Sequence, residues 1–337
     1  MKKYASLLIL ALLLNGCDDG DLTVDTINFE DIQTSASCPN SSTDETAPTL
    51  IYKLKTQESL VMQLPANSIK NDATPIGDPL TYDINNSTYR VLYRAYDGTV
   101  AVNNICGTIP PRTPNVTEEW QATAGVIEIT STQVTGDKSA TDGSTRITGY
   151  NHQIVFRNIT FLKPAGPQTE EEFVFGNYTT GPDPLNLVFT TAPTQCTDKK
   201  QVFNFNPTSY MQINNLDQTL IQQVEGTRSL PITATANNIT YTTFKSNTGT
   251  LTSAYFCISP APSAPAVSTV WNSVIDNNGI VEVTTTATGT TSIVYKHTIT
   301  IKNVTLKKGN SSFYLADDFV LGTITDAPVT APTAKKK

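Results

Sequence analysis

A diverged internal duplication constrains this chain more than any other feature, because two copies of one pattern call for two copies of one folding unit. His152-Gln-Ile-Val-Phe-Arg-Asn158-Ile-Thr-Phe161 matches His297-Thr-Ile-Thr-Ile-Lys-Asn303-Val-Thr-Leu306. Downstream, Glu171-Glu-Phe-Val-Phe-Gly176 matches Asp317-Asp-Phe-Val-Leu-Gly322. Upstream, Trp120 precedes Gly125-Val-Ile-Glu-Ile-Thr130 as Trp271 precedes Gly279-Ile-Val-Glu-Val-Thr284. The chain has 2 tryptophans and 2 histidines, and each pair falls at matching positions. Further back, Ser59–Leu64 answers Thr219–Val224, Thr88-Tyr89 answers Thr240-Tyr241, and Cys106 answers Cys257.

The element type follows from periodicity. Thr, Val, Ile, Tyr and Phe dominate segments that alternate apolar and polar, bounded by Asn, Gly, Asp and Pro. No stretch sustains an apolar stripe at helical spacing. Turn pairs such as Asp97-Gly98, Asn278-Gly279 and Gly309-Asn310 fall between the alternating runs. The expected fold is all-β: two tandem, homologous, antiparallel β-sandwich (immunoglobulin-like) units of about eight strands each. Ile154 and Phe156 share one parity while Ile159 and Phe161 take the other, and Ile299/Ile301 against Val304/Leu306 repeat the slip. A β-bulge at Arg157-Asn158 and another at Lys302-Asn303 are therefore expected.

The start of the chain has a different logic. Lys2 and Lys3 precede an apolar run, Ser6 to Leu14, too short for the roughly 20 residues that span a bilayer. It ends in Leu14-Asn15-Gly16-Cys17, which resembles the bacterial lipobox. The resemblance implies cleavage before Cys17 and lipidation of that residue, so that a diacylglyceryl anchor holds the body to a membrane. Removing residues 1–16 takes away two lysines and no acid, moving the formal charge from −7 to −9. Such a surface repels phosphate backbones, so nucleic acid is not an expected partner.

With Cys17 lipidated, 4 of the 5 cysteines remain: Cys38, Cys106, Cys196 and Cys257. An even number in an exported chain reads as disulfides, and the duplication selects Cys38–Cys106 and Cys196–Cys257 from the three pairings. Each closes a loop of more than sixty residues, worth roughly 4 kcal/mol by chain entropy. The expected organisation is a signal peptide over 1–16, a lipidated acidic tether over 17–46, sandwich units over 47–192 and 193–327, and a basic tail over 328–337.

The tether begins Cys17-Asp18-Asp19-Gly20-Asp21, similar to the acidic export signal of surface lipoproteins in the Bacteroidota, notably flavobacteria. That likeness implies that Asp18, Asp19 and Asp21 direct the protein to the outer face of the outer membrane. The enterobacterial sorting rule gives the alternative, since Asp after the cysteine retains a lipoprotein in the inner membrane.

Candidate chemistry is sparse. His152 and His297 would need converging carboxylates to act as bases or metal ligands, and the duplication explains both as strand residues. Glu171-Glu172 and Asp317-Asp318 offer calcium-type oxygens but lack an Asp-x-Asp-x-Asp-Gly loop, and read as acidic gatekeepers beside apolar strands. Trp120 and Trp271 read as core anchors before sugar platforms. No CxxC, Gly-x-Ser-x-Gly, HExxH, P-loop or GxGxxG motif occurs. The expectation is a binding or scaffold module with no cofactor, no metal and no catalytic residues, its ligand an extracellular polysaccharide or protein. An accessory carbohydrate hydrolase, which needs only two carboxylates, and a structural envelope spacer are the alternatives.

Overall fold

The computed structural model describes residues 26–39, 49–198, 200–258, 260–276 and 278–330. The lipidation residue Cys17 and the acids Asp18, Asp19 and Asp21 lie outside them. Strands dominate, and the helical elements among the described residues are a short helix, α1 (Val102–Cys106), and a 3-10 turn at Ser253–Tyr255.

The first half of the chain forms β1 (Ala36–Ser37), β2 (Thr49–Leu54), β3 (Glu58–Leu64), β4 (Leu80–Asp83), β5 (Arg90–Tyr96), β6 (Val116–Thr135), β7 (Ile147–Lys163) and β8 (Gly166–Thr180). They pair in the order β1-β2-β3-β5-β6-β7-β8, with β4 on β6. Period-two alternation does here what it should: Leu60, Met62 and Leu64 point inward and are fully buried beside Ile51, Trp120, Ile127 and Phe156.

The second half forms β9 (Thr194–Gln195), β10 (Gln201–Asn206), β11 (Ser209–Asn214), β12 (Gly226–Pro231), β13 (Asn238–Phe244), β14 (Val267–Ser273), β15 (Ile280–Thr288), β16 (Ser292–Lys302), β17 (Thr305–Lys308), β18 (Ser311–Tyr314), β19 (Asp318–Thr325) and β20 (Val329–Thr330). One sheet runs β18-β17-β14-β13-β11-β10-β9, and the other runs β12-β15-β16-β19 with β20 on β16. The path β9-β10-β11-β13-β14 repeats β1-β2-β3-β5-β6. Where the first half uses three long strands that serve both faces, the second splits each in two: β14/β15, β16/β17 and β18/β19. The fold is all-β and sandwich-like, with antiparallel ladders.

Asn158 shows why the long strands bend. Ile154, Phe156, Ile159 and Phe161 are all fully buried despite their opposite parity. Three residues of β6 (Ala124 to Val126) face four of β7 (Arg157 to Thr160). Asn158 takes the left-handed conformation, φ +49°, and a Cβ on Gly125 opposite would lie 2.8 Å from Ile159 Cα. That is the expected bulge. At the matching site the ladder does not bulge but ends: Asn303 (φ +54°) separates β16 from β17, and the chain changes sheets. The cause lies opposite. By register Ser273 answers Ala122 and Ile280 answers Val126, so six residues stand between β14 and β15 where the first half has three in a continuous strand. Asn303 therefore has no strand to bulge against. Both asparagines still hold αL geometry, so Asn158→Ala and Asn303→Ala are each expected to cost about 1 kcal/mol, and Asn→Gly next to nothing, in urea unfolding.

Four further expectations need correction. Thr219–Val224, matched above to Ser59–Leu64, belongs to no strand; the cross-strand register makes β11 the counterpart of β3, since Ile51↔Met62 corresponds to Val202↔Ile213. By the same register Tyr241 answers Tyr93, through Met211↔Tyr241 and Leu60↔Tyr93, and not Tyr89. The segment 26–39, assigned to a tether, is part of the first fold: Ile27 and Phe29 are buried in its core, and Ser35 and Gln33 exchange backbone hydrogen bonds with Asn177. Its strand lies at Ala36–Ser37. The chain before β9 does the same for the second half, where Leu185, Leu187 and Phe189 pack on the core. At the C-terminal end, Val329 and Thr330 belong to β20, paired with Ile293 and Ser292.

The halves touch through polar groups and through two buried side chains of β7. Asp72 accepts hydrogen bonds from the backbone N–H of Ser311 (2.9 Å) and Asn310 (3.1 Å) and from Ser311 Oγ (2.6 Å) at the β17–β18 turn. Lys308 pairs with Asp183 and donates to Asn71 O at 2.8 Å. Ile147 and Tyr150 at the start of β7 reach into the second core.

Candidate functional site

The four described cysteines form the two bridges selected by the duplication: Cys38–Cys106 (S–S 2.00 Å) and Cys196–Cys257 (2.04 Å). Each pins the residue just after β1 or β9 to the segment that follows β5 or β13.

His152 and His297 are fully buried. Each sits opposite a hydroxyl on the neighbouring strand: Ser131 Oγ at 2.8 Å from Nδ1 of His152, and Thr285 Oγ1 at 2.9 Å from Nδ1 of His297. His152 Nε2 lies 2.9 Å from Thr180 Oγ1, whose own proton goes to Asn71 Oδ1 at 2.7 Å. Thr180 must therefore accept, which places the ring proton on Nε2 and makes Nδ1 the acceptor for Ser131. Burial pushes the His152 pKa down to about 4. The ring is flanked by Tyr150 and Tyr178 (centroids 6.4 and 6.0 Å), with no carboxylate bonded to it. His297 differs: Asp326 Oδ2 lies 3.3 Å from its Nε2, without hydrogen-bond alignment. These are strand histidines held by hydroxyls.

Of the acidic pairs, Glu172, Asp317 and Asp318 have structural partners. Arg157 bridges Glu128 (2.7 Å) and Glu172 across three strands, and Lys302 bridges Glu282 (3.1 Å) and Asp318 (3.0 Å) in the same arrangement. Asp317 takes the Tyr314 hydroxyl at 2.9 Å. Among the described residues no group of three or more His, Cys, Asp or Glu is placed to hold a metal. The tryptophans are core residues, 3% and 1% exposed, and each carries a lysine over its ring, Lys163 at 4.0 Å from Trp120 and Lys308 at 5.1 Å from Trp271. Neither offers a face to a sugar.

A cleft that sequence reasoning missed lies on the outward face of β2, β3 and β5. Leu50, Val61, Gln63, Arg90, Leu92, Arg94 and Ile105 line about 150 Å³. Its wall is stapled to its floor: Ile105 stands on α1 beside Cys106, Cys106 is bonded to Cys38, and Cys38 N–H donates to Leu50 O at 2.9 Å. Arg94 is neutralised by Glu119 at 2.8 Å. The Nε–H of Arg90 is buried from solvent and has no acceptor among the described residues.

No family model, curated protein or solved structure matches this chain.

Proposed function

We propose that this chain is an outer-membrane lipoprotein, anchored through lipidated Cys17 and exported to the cell surface by Asp18, Asp19 and Asp21, whose body is a binding or scaffold module built from two diverged copies of one sandwich. The observation that carries the anchoring is Leu14-Asn15-Gly16-Cys17 at the end of a short apolar run behind two lysines. Two long-range disulfides fit an oxidising compartment outside the cytosol. The duplication is supported by position-for-position recurrence of the hydroxyl-held histidine, the three-strand charge relay, the lysine over tryptophan and the αL asparagine. A body whose two histidines, two tryptophans and the acids Glu128, Glu172, Glu282 and Asp318 hold strands together favours binding over catalysis. Its partners are then the membrane, through lipid, and an extracellular polysaccharide or protein.

Protease shaving of intact cells tests the reading. The wild-type protein is expected to be digested, the Asp18→Ala/Asp19→Ala/Asp21→Ala variant to be protected until cells are lysed, and Cys17→Ala to leave the membrane fraction. Protection of the wild-type chain would refute surface exposure.

A further inference from the structure

We propose that the cleft between α1 and the outward face of β2, β3 and β5 binds a small carboxylate with an apolar body, its charge held by Arg90. The proposal deepens the reading of the chain as a binding module and names a ligand class for it; it does not depend on the anchor.

The volume sets the size. About 150 Å³ is the space a single benzene-sized body fills. Leu50, Val61, Leu92 and Ile105 supply apolar walls, so a ring or a chain of about six carbons removes apolar surface from water on both sides. The charge sets the sign. Arg90 lines the cleft and makes no ion pair among the described residues, so an anion seated there would meet an uncompensated charge. A carboxylate is the acceptor whose geometry suits a guanidinium, forming two parallel charge-assisted bonds. Arg94 is held by Glu119, which leaves Arg90 as the cleft-lining cation without an ion pair among the described residues.

The second half provides an internal comparison. Leu50↔Gln63↔Arg90 is one cross-strand row and Val61↔Leu92 the next. The register-equivalent rows of the second half are Gln201↔Asn214↔Asn238 and Gln212↔Thr240. There the apolar residues and the arginine are replaced by amides and a hydroxyl, which satisfy one another: Gln212 bonds Asn214, and Asn214 donates to Thr240 Oγ1 at 3.0 Å. One scaffold thus carries a self-satisfied polar face in one half, and in the other an apolar cleft with an unsatisfied cation under a disulfide-fixed wall. A fixed wall matters for affinity, because a preformed cleft spends no binding energy on ordering.

The test is a methyl-NMR titration of the oxidised chain, observing Leu50, Val61, Leu92 and Ile105, with benzoate as the probe and benzamide as its uncharged counterpart. Benzoate is expected to give saturable shifts confined to these methyls with a Kd on the order of 1 mM or tighter, the range for a nine-atom ligand. Benzamide and Arg90→Gln should each weaken binding at least about tenfold. Gln63→Glu, which sets a carboxylate on the residue directly across from Arg90, should abolish it while leaving Arg90 in place. Absence of saturable shifts in the folded wild-type chain, or equal binding of benzoate and benzamide, overturns the proposal. Either result leaves the shaving experiment, and hence the surface-lipoprotein reading, untouched.

Discussion

Phe29→Ala is expected to lower the unfolding free energy by about 3–5 kcal/mol, the range for removing a buried aromatic ring. Phe29 is 1% exposed, lies edge-on to Tyr93 at 6.5 Å between ring centres, and belongs to the same core as Trp120 and Phe173. Its backbone has a second task. Phe29 O accepts the Lys53 ammonium at 3.2 Å, and Lys53 is itself 3% exposed, its pKa lowered first of all by burial. A lead segment that lifts away therefore uncovers apolar surface and also strips a buried cation of its acceptor. In the second half Asn204 takes the register position of Lys53 and ties the corresponding lead segment by donating to Thr191 O at 2.8 Å and Leu321 O at 2.9 Å. Urea unfolding of Phe29→Ala against Glu30→Ala, an exposed neighbour expected within about 0.5 kcal/mol of wild type, decides the matter. A loss below about 1 kcal/mol for Phe29→Ala would restore the segment to a dispensable tether.

How much of this was legible in advance depends on how local each signal is. Strand parity is local, so Leu60/Met62/Leu64 and the slip between Phe156 and Ile159 predicted which side chains enter the core. The disulfide pairing came through the duplication, because Cys106 and Cys257 hold matching places in the two patterns. The same method misplaced Thr219–Val224: its apolar string resembles β3, whereas the true counterpart, Ser209–Asn214, shares with β3 only the inward alternation carried by Met211 and Ile213. The lead segment hid because two apolar residues in an acidic, polar stretch make no periodic pattern. The cleft was invisible for a physical reason: Leu50, Arg90 and Ile105 meet only after β2, β5 and α1 have been assembled, and an arginine's lack of an acceptor is a property of the folded chain.

His152 should make the protein lose about 3 kcal/mol of stability between pH 6.5 and pH 4. Its unfolded-state pKa is the ordinary 6.5, and burial brings the folded value to about 4. Above pH 6.5 neither state holds the proton and the group has no influence. Between the two values the unfolded chain binds a proton that the native chain refuses, so stability falls as pH falls; below pH 4 both are protonated and the loss is complete. At about 1.4 kcal/mol per pKa unit, the gap of some 2.5 units gives the figure quoted. The refusal has a structural cause, for the ring already uses both nitrogens: Nδ1 accepts from Ser131 and Nε2 donates to Thr180, with tyrosine rings in place of any carboxylate that would stabilise an imidazolium. The strain reaches further than the ring, because Thr180 continues to Asn71, which donates to Asp183 Oδ1 at 3.0 Å, and Asp183 pairs with Lys308 across the junction of the halves. Protonating Nδ1 turns Ser131 from donor to acceptor at one end of this chain, so the first half and the junction should weaken together in acid. Urea midpoints from pH 4 to pH 7.5 for wild type and His152→Gln isolate the contribution as a difference, whatever the carboxylates do in both. A wild-type-minus-variant curve that stays flat across this window would show that the histidine protonates freely in the native state.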